Sequence, residues 1–202
     1  MSSPTAKRYE VPTGSATTST NAPWLQTYYF LRAGFSIVWV LLALTVGQHL
    51  PVLAMALLVI YPGWDAVANY LDARQSGGLR RNPSQMLNVL ASGIVTLAIA
   101  AALNFGMHAV LGVFGVWAGL SGLLQLATGV RRWKTHGAQW PMVLSGAQST
   151  LAGVLFIQRA TSPHLPAITD IAPYAAVGAF YFLVSGVSMV VADLRRRRKA
   201  SA

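Results

Sequence analysis

The sequence predicts an all-α integral membrane protein built as a bundle of six transmembrane helices. Of its 202 residues, 54% are apolar and only 10% are charged, whereas soluble domains carry about a quarter charged residues. The apolar residues are concentrated in six long segments, and a spanning helix needs about 20 mostly apolar residues. Helices are favoured over strands because a helix satisfies its own backbone hydrogen bonds in lipid.

The six predicted spans are separated by short polar loops and form one membrane domain over residues 24–194. The spans are residues 28–46, 51–70, 86–104, 109–130, 140–157 and 173–192. A tail over residues 1–23, rich in Ser, Thr, Pro and Gly, is expected to be disordered and cytoplasmic. It contains no apolar stretch of the kind that a secretory signal requires, so we expect no cleavage. Residues 195–202 form a basic cytoplasmic tail.

The distribution of basic residues predicts that both termini are cytoplasmic. Of the fifteen Lys and Arg residues, only Arg159 falls in a loop on the opposite side from the termini. Cytoplasmic loops of membrane proteins carry an excess of positive charge. The formal net charge of +10 therefore reflects topology, and because no soluble module carries the basic runs, nucleic acid is not an expected partner.

Catalysis, cofactors and metals have no support in the sequence. The chain has no cysteine and only five acidic residues, which excludes disulfides and thiolate metal sites. No phosphate-binding loop, nucleotide fingerprint or nucleophile–base motif is present. We therefore expect a protein that is not an enzyme and needs no cofactor.

The spans pair into three helical hairpins of similar layout. Each first helix carries a small residue next to Gly and then a hydroxyl, and each second helix carries an aromatic residue followed by small residues. Small residues let helices approach closely in lipid. The clearest case is a stripe on one face of the fourth span, formed by Gly112, Gly115, Gly119 and Gly122. Such a stripe predicts helix packing, either within one chain or between copies in a homo-oligomer.

These hairpins resemble the short membrane repeat of unknown function, the family of the HdeD-like acid-resistance membrane proteins. The segments that carry the resemblance are Trp117 to Gln125 and Tyr181 to Val187. The first hairpin departs from the pattern, because Asp65 and Asn69 stand where the family has apolar and small residues. The resemblance implies a bacterial inner-membrane protein linked to acid or general stress, with no catalytic residues to carry over.

A polar face on the second span is the most notable candidate site. Asp65, Asn69 and Asp72 step by four and three residues, so they share one helical face. Charges inside the membrane are expensive and are often functional, which suggests a proton or cation pathway. The alternative is a cap near the cytoplasmic interface, where Asp65 meets water or a basic partner. The candidate partners are Arg32, Arg74 and Arg80.

Two further groups of polar residues stand out. Asn88, Ser92 and Thr96 form a polar stripe on the third span, which predicts interhelical hydrogen bonds or the wall of a polar path. Three histidines fall in the predicted outer loops and would gain charge as the periplasm acidifies, because imidazole titrates near pH 6.5. They are His49, His108 and His164. Their roles are either pH sensing or none, since solvated loop histidines are ordinary.

The sequence thus leads to two functional hypotheses and one structural hypothesis. The first is a non-enzymatic protein that contributes to acid or envelope stress tolerance. The alternative is a small transporter or proton or cation channel that uses Asp65, and the third is a scaffold for partner helices. The bilayer itself is the expected partner, with anionic lipid expected at the tail residues Arg195, Arg196, Arg197, Arg198 and Lys199.

Overall fold

A computed structural model describes residues 22–132 and 140–200 and shows helices throughout this part of the chain. A π-helical turn, Ala43–Gly47, continues the first helix, and short 3₁₀ turns precede the third, fourth and sixth helices. The predicted disordered tail lies outside the described residues, except for its last two positions. The long helices are α1 (Ala22–Leu42), α2 (Pro51–Gln75), α3 (Pro83–Ala102), α4 (Met107–Arg132), α5 (Trp140–Ala160) and α6 (Ala172–Ala200).

The lengths and apolar character of these helices define a helical membrane protein. Five segments of the described chain are long and apolar enough to cross a bilayer. They are Pro23–Gly47, Pro51–Gln75, Pro83–Phe105, Met107–Ala127 and Ala172–Ala200. Helix α5 is not among them, so the sixth span stays a prediction.

Several helices extend beyond the predicted apolar segments. Helix α1 begins at Ala22, α2 ends at Gln75 and α6 continues to Ala200. Apolarity marks only the part of a helix that lies in hydrocarbon, whereas Arg, Lys, Gln and Ala are strong helix formers that prolong it into the aqueous phase. As a result, Arg32 lies in the third turn of α1, whereas the predicted span 28–46 would place it near the start of the helix.

The closest helix packing does not occur within the predicted hairpins. Helix α4 packs most extensively on α5, α1 on α6, and α2 on α3, while the contacts of α1 with α2 and of α3 with α4 are smaller. The three close pairs surround a common interior. Helices pack most closely where their small or polar residues face each other. Helices that are consecutive in the chain do not always present such residues to each other.

The four glycines of α4 lie against α5. A Cβ atom built on Gly115 would lie 3.1 Å from the carbonyl oxygen of Gly153, and one on Gly122 would lie 2.6 Å from that of Gly146. Such an atom on Gly112 or Gly119 would also meet only α5, at 3.8 Å and 4.0 Å. The α4 and α5 backbones therefore touch at Gly115 and Gly122, where a Cβ has no room, whereas a Cβ at Gly112 or Gly119 would make an ordinary contact.

The apolar core occupies the end of the bundle opposite the termini. Its largest buried side chains include Trp39, Phe114 and Leu58, which are at most 1% exposed. The Trp39 indole donates a hydrogen bond of 2.7 Å to the carbonyl oxygen of Leu57. Helix α2 continues through Pro62, which has no N–H to offer the carbonyl of Leu58. The carbonyl of Leu58 thus has no helical donor. The Trp39 indole binds the carbonyl of the residue before it, Leu57, and so supports α2 next to this break.

Candidate functional site: a buried ion pair beside a cavity

The centre of the site is an ion pair between Arg32 of α1 and Asp65 of α2. Their side chains are only 13% and 20% exposed. The second carboxylate oxygen of Asp65 accepts hydrogen bonds from the Ser92 hydroxyl at 2.7 Å and from the Asn69 amide at 3.1 Å. The carboxylate is thus held by groups from three helices, as a buried charge requires.

The Arg32 guanidinium also contacts two aromatic side chains. One of its terminal nitrogens donates to the Tyr28 hydroxyl at 2.7 Å. The guanidinium carbon lies 4.3 Å from the ring centroid of Phe182 on α6, a distance at which a cation is attracted to the ring face. The Arg32 Nε is buried with no hydrogen-bond partner. The pair therefore ties α1, α2, α3 and α6 together while one donor stays unsatisfied.

The ion pair lies deep between the helix ends. Asp65 precedes the last residue of α2, Gln75, by ten positions, and Arg32 follows the first residue of α1, Ala22, by ten. At 1.5 Å per residue each lies about 15 Å from the end of its helix, so the pair lies well away from both ends of α1 and α2. The partner of Asp65 is Arg32, one of the three arginines considered from the sequence, while the interfacial cap and the pathway both stay predictions.

The polar stripes of α2 and α3 face each other in antiparallel register. Asp65 meets Ser92, and Asn69 accepts a hydrogen bond of 3.4 Å from Asn88. One turn further, Asp72 accepts hydrogen bonds from Gln85 at 3.0 Å and from the Trp24 indole at 3.2 Å. The steps of four and three residues along α2 are matched by steps of four and three in the opposite direction along α3. Together they form a polar seam from mid-helix to the end that carries the termini.

A cavity of about 1100 Å³ lies beside this seam and is lined by residues of all six helices. Among the described residues that line it, only Arg32 and Asp65 are charged. Amides and hydroxyls add polar groups, among them Asn88, Gln125 and Ser149. The rest of the wall is mostly apolar, so the polar groups form a narrow strip on an otherwise apolar wall.

The three candidate histidines lie away from the ion pair. His49 and His164 are exposed, and His108 in the first turn of α4 has its Nε2 3.1 Å from the carbonyl oxygen of Ser162. The Ser162 hydroxyl also lies 3.5 Å from the carbonyl oxygen of His164. Within the described residues, no group of His, Asp and Glu could hold a metal ion. The pH-sensing role stays a prediction.

Several residues of the site were not singled out from the sequence, and only one of them carried a signal there. Gln85 lies three residues before Asn88, so the stripe on α3 could have been extended to include it. Trp24, Tyr28 and Phe182 carry no such signal, because their roles depend on which helices pack together. The sequence identifies the polar faces but not the aromatic residues that enclose Arg32.

The fold and the site together define a helical membrane protein with an ion-paired interior. Comparison with protein families gives one match, to the model described as "Short repeat of unknown function (DUF308)", over residues 90–158. This region, about a third of the chain, covers most of α3, all of α4 and nearly all of α5, and it contains the glycine stripe. No curated protein matches the chain, and no solved structure matches it.

Proposed function

We propose that this chain is a non-enzymatic membrane protein that passes a small polar solute, a proton or a cation along its cavity. The observation that carries the proposal is the Arg32–Asp65 pair, which lines the cavity at mid-helix depth. Ionisable residues at this depth are costly and usually mark pathways or relays. A buried ion pair is weak support for stability alone, so a role in conduction accounts better for its presence.

The proposed topology has six spans with both termini in the cytoplasm of a bacterial cell and the bundle in the inner membrane. Helix α5 is the proposed sixth span, since it is 21 residues long and packs closely along α4. Six antiparallel crossings bring the termini to one side. The basic residues of α6 and of the α2–α3 connection then lie on that same side, in agreement with the positive-inside rule.

The polar seam supplies a route from the cytoplasmic side to the ion pair. Asp72, near the end of α2, and Asp65 are seven residues apart, or about 10 Å along the helix. Asn69 lies between them and hydrogen bonds to the Asp65 carboxylate. This spacing is too long for a shared proton but suits a relay through amide groups and water. Beyond Asp65 the cavity continues along Ser36 and Tyr61.

The flux of ions or polar solutes through proteoliposomes should depend on Asp65. We expect Asp65→Asn to reduce flux to background, because the variant removes the acceptor charge but keeps the size of the side chain. Asp193→Asn is the matched control, since Asp193 lies near the end of α6 and pairs with Arg196 and Arg197 at the surface. A fluorescent pH or ion indicator inside the vesicles measures the flux. Equal flux in wild type, Asp65→Asn and empty vesicles would end the proposal.

A second candidate is a role in acid or envelope stress tolerance that requires no transport. Its support is the resemblance to HdeD-like proteins together with the family match over residues 90–158. We expect deletion to lower survival after an acid pulse, and we expect the wild-type gene to restore it. A variant with Asn in place of His49, His108 and His164 should fail to restore survival if these histidines sense pH. Unchanged survival after deletion would remove the stress role.

Partners of the chain follow from its surface. Residues Arg195 to Lys199 extend α6 as a basic helix end, which suits anionic lipid headgroups. Asp193 neutralises part of this charge through Arg196 and Arg197. A scaffold role predicts co-purifying proteins without flux. A homo-oligomer would need an interface other than the glycine stripe of α4, because that stripe already packs on α5 within the chain.

A further inference from the structure

The cavity has a side opening between α3 and α4. Leu87 and Ile94 of α3 line it and yet are 54% and 66% exposed, and Val116 and Leu120 of α4 line it and are 53% and 58% exposed. These two helices pack less closely on each other than α2 packs on α3 or α4 on α5. In a bilayer this gap, the α3–α4 cleft, faces lipid. Hydrocarbon therefore has direct access to a cavity that also contains polar groups.

The end of the α3–α4 cleft nearest the termini is polar, and two arginines lie in the turn just before α3. Ser84, Asn88 and Gln125 line the cavity there. Arg80 and Arg81 precede α3 directly and are exposed, and no acidic residue of the described chain forms an ion pair with either of them. The cleft thus combines an apolar trough with a polar end, and two exposed arginines stand three and four residues before Ser84, its first lining residue on α3.

The cleft is somewhat longer than the hydrocarbon depth of one leaflet. From Ser84 to Ala98, both of which line the cavity, the helix rises by about 21 Å. The chains of one leaflet occupy half of a hydrocarbon thickness of about 30 Å. One acyl chain that enters at the Ser84 end can therefore cover most of the opening. This separates the polar seam from bulk lipid, where unsatisfied polar groups would be costly.

We propose that the α3–α4 cleft binds one anionic phospholipid of the leaflet on the side of the termini. One chain lies along Leu87, Ile94 and Leu120, and the phosphate lies against Arg80 and Arg81. The net charge of the Arg32–Asp65 pair is zero, so the selectivity for an anionic head comes from Arg80 and Arg81. The site is separate from the basic end of α6, and it goes beyond the proposed function because a resident lipid is needed with or without flux.

Native mass spectrometry of the purified protein tests this site after incubation with vesicles of equal parts phosphatidylglycerol and phosphatidylcholine. We expect one strongly retained phosphatidylglycerol per chain. Arg80→Gln with Arg81→Gln should weaken its binding about 30-fold, since each basic residue near an anionic surface contributes about 1 kcal/mol. Arg195→Gln with Arg196→Gln should leave this lipid bound.

A filled-cleft variant tests the position of the chain. Ala91 lines the cavity, whereas Leu97 on the same helix is 73% exposed and is not among the residues that line it. We expect Ala91→Trp to abolish retention of either lipid and Leu97→Trp to have no effect. If Ala91→Trp does not fold, the arginine variants decide the result.

Three outcomes would overturn the lipid site. They are no retained lipid in wild type, equal retention of both lipids, and equal loss in the α6 and the Arg80/Arg81 variants. Flux with no retained lipid would refute the lipid site and leave the proposed function intact. A retained lipid without flux would refute the proposed function and leave the lipid site intact.

Discussion

Replacement of Asp65 by Leu should destabilise the protein more than any other single substitution that changes its charge. The substitution leaves the Arg32 guanidinium buried between Tyr28 and Phe182 without its carboxylate. Loss of one partner from a buried pair typically costs about 3–5 kcal/mol. It also frees the Ser92 hydroxyl, which now donates to Asp65. We expect a large fall in the temperature at which the protein in detergent loses its folded peak in size-exclusion chromatography.

Two control variants show whether this loss comes from the unpaired charge. Arg32→Met combined with Asp65→Leu removes both charges and keeps the volume, and such replacements are often neutral or stabilising. We expect the double variant to recover most of the lost stability. Asp193→Asn should change little, since exposed ion pairs contribute about 0–1 kcal/mol. A double variant as unstable as Asp65→Leu would mean that packing, and not the unpaired charge, causes the loss.

The double variant also separates stability from function. If Arg32→Met/Asp65→Leu folds as well as wild type but shows no flux, the pair is not needed for folding and its retention requires a functional reason. If the double variant retains wild-type flux, the pair is a structural contact and the cavity does not conduct through it. This comparison is sharper than Asp65→Asn alone, which changes both the pathway and the pairing of Arg32.

The sequence could predict the polar faces of the site but not their partners. Spacings of four and three residues identified Asp65, Asn69 and Asp72 on α2 and Asn88 with Ser92 on α3, and these spacings are a property of one helix at a time. Which arginine would meet Asp65 depends on the packing of α1 against α2 and on depth. The position of a residue along its helix depends on where the helix ends, and the apolar segments of the sequence do not show those ends.

The sequence also could not predict which helices pack against each other. The hairpins suggested that the first span packs on the second, the third on the fourth and the fifth on the sixth. The closest pairs are instead α1 with α6, α2 with α3 and α4 with α5. The glycines of α4 specify a close contact but not its partner. The missing information is in α5, where Gly146 and Gly153 lie opposite Gly122 and Gly119. A stripe of small residues becomes specific only when its counterpart is known.

Insertion of a single methyl group into this glycine contact should separate α4 from α5. A Cβ atom on Gly153 would lie 2.5 Å from the backbone nitrogen of Gly119 and 2.8 Å from the carbonyl oxygen of Gly115. A Cβ atom on Gly122 would overlap the backbone nitrogen of Thr150. Backbone atoms cannot move aside as side chains do, so the helices must shift. We expect Gly153→Ala and Gly122→Ala each to cost about 1–3 kcal/mol, the usual range for overpacking, measured as loss of thermal stability in detergent.

Glycines outside the contact provide matched controls for the same substitution. A Cβ atom on Gly34 of α1 or on Gly93 of α3 would have no neighbour within 4 Å. Because Ala is the better helix former by roughly 0.5–1 kcal/mol, Gly34→Ala and Gly93→Ala should be neutral or slightly stabilising. Helices α4 and α5 lie almost wholly in the region that matches the short repeat. A loss of stability at Gly153 and Gly122 without a loss at Gly34 and Gly93 would therefore identify the repeat as a close-packing unit. Equal effects at all four positions would show that backbone approach between α4 and α5 does not hold the bundle together.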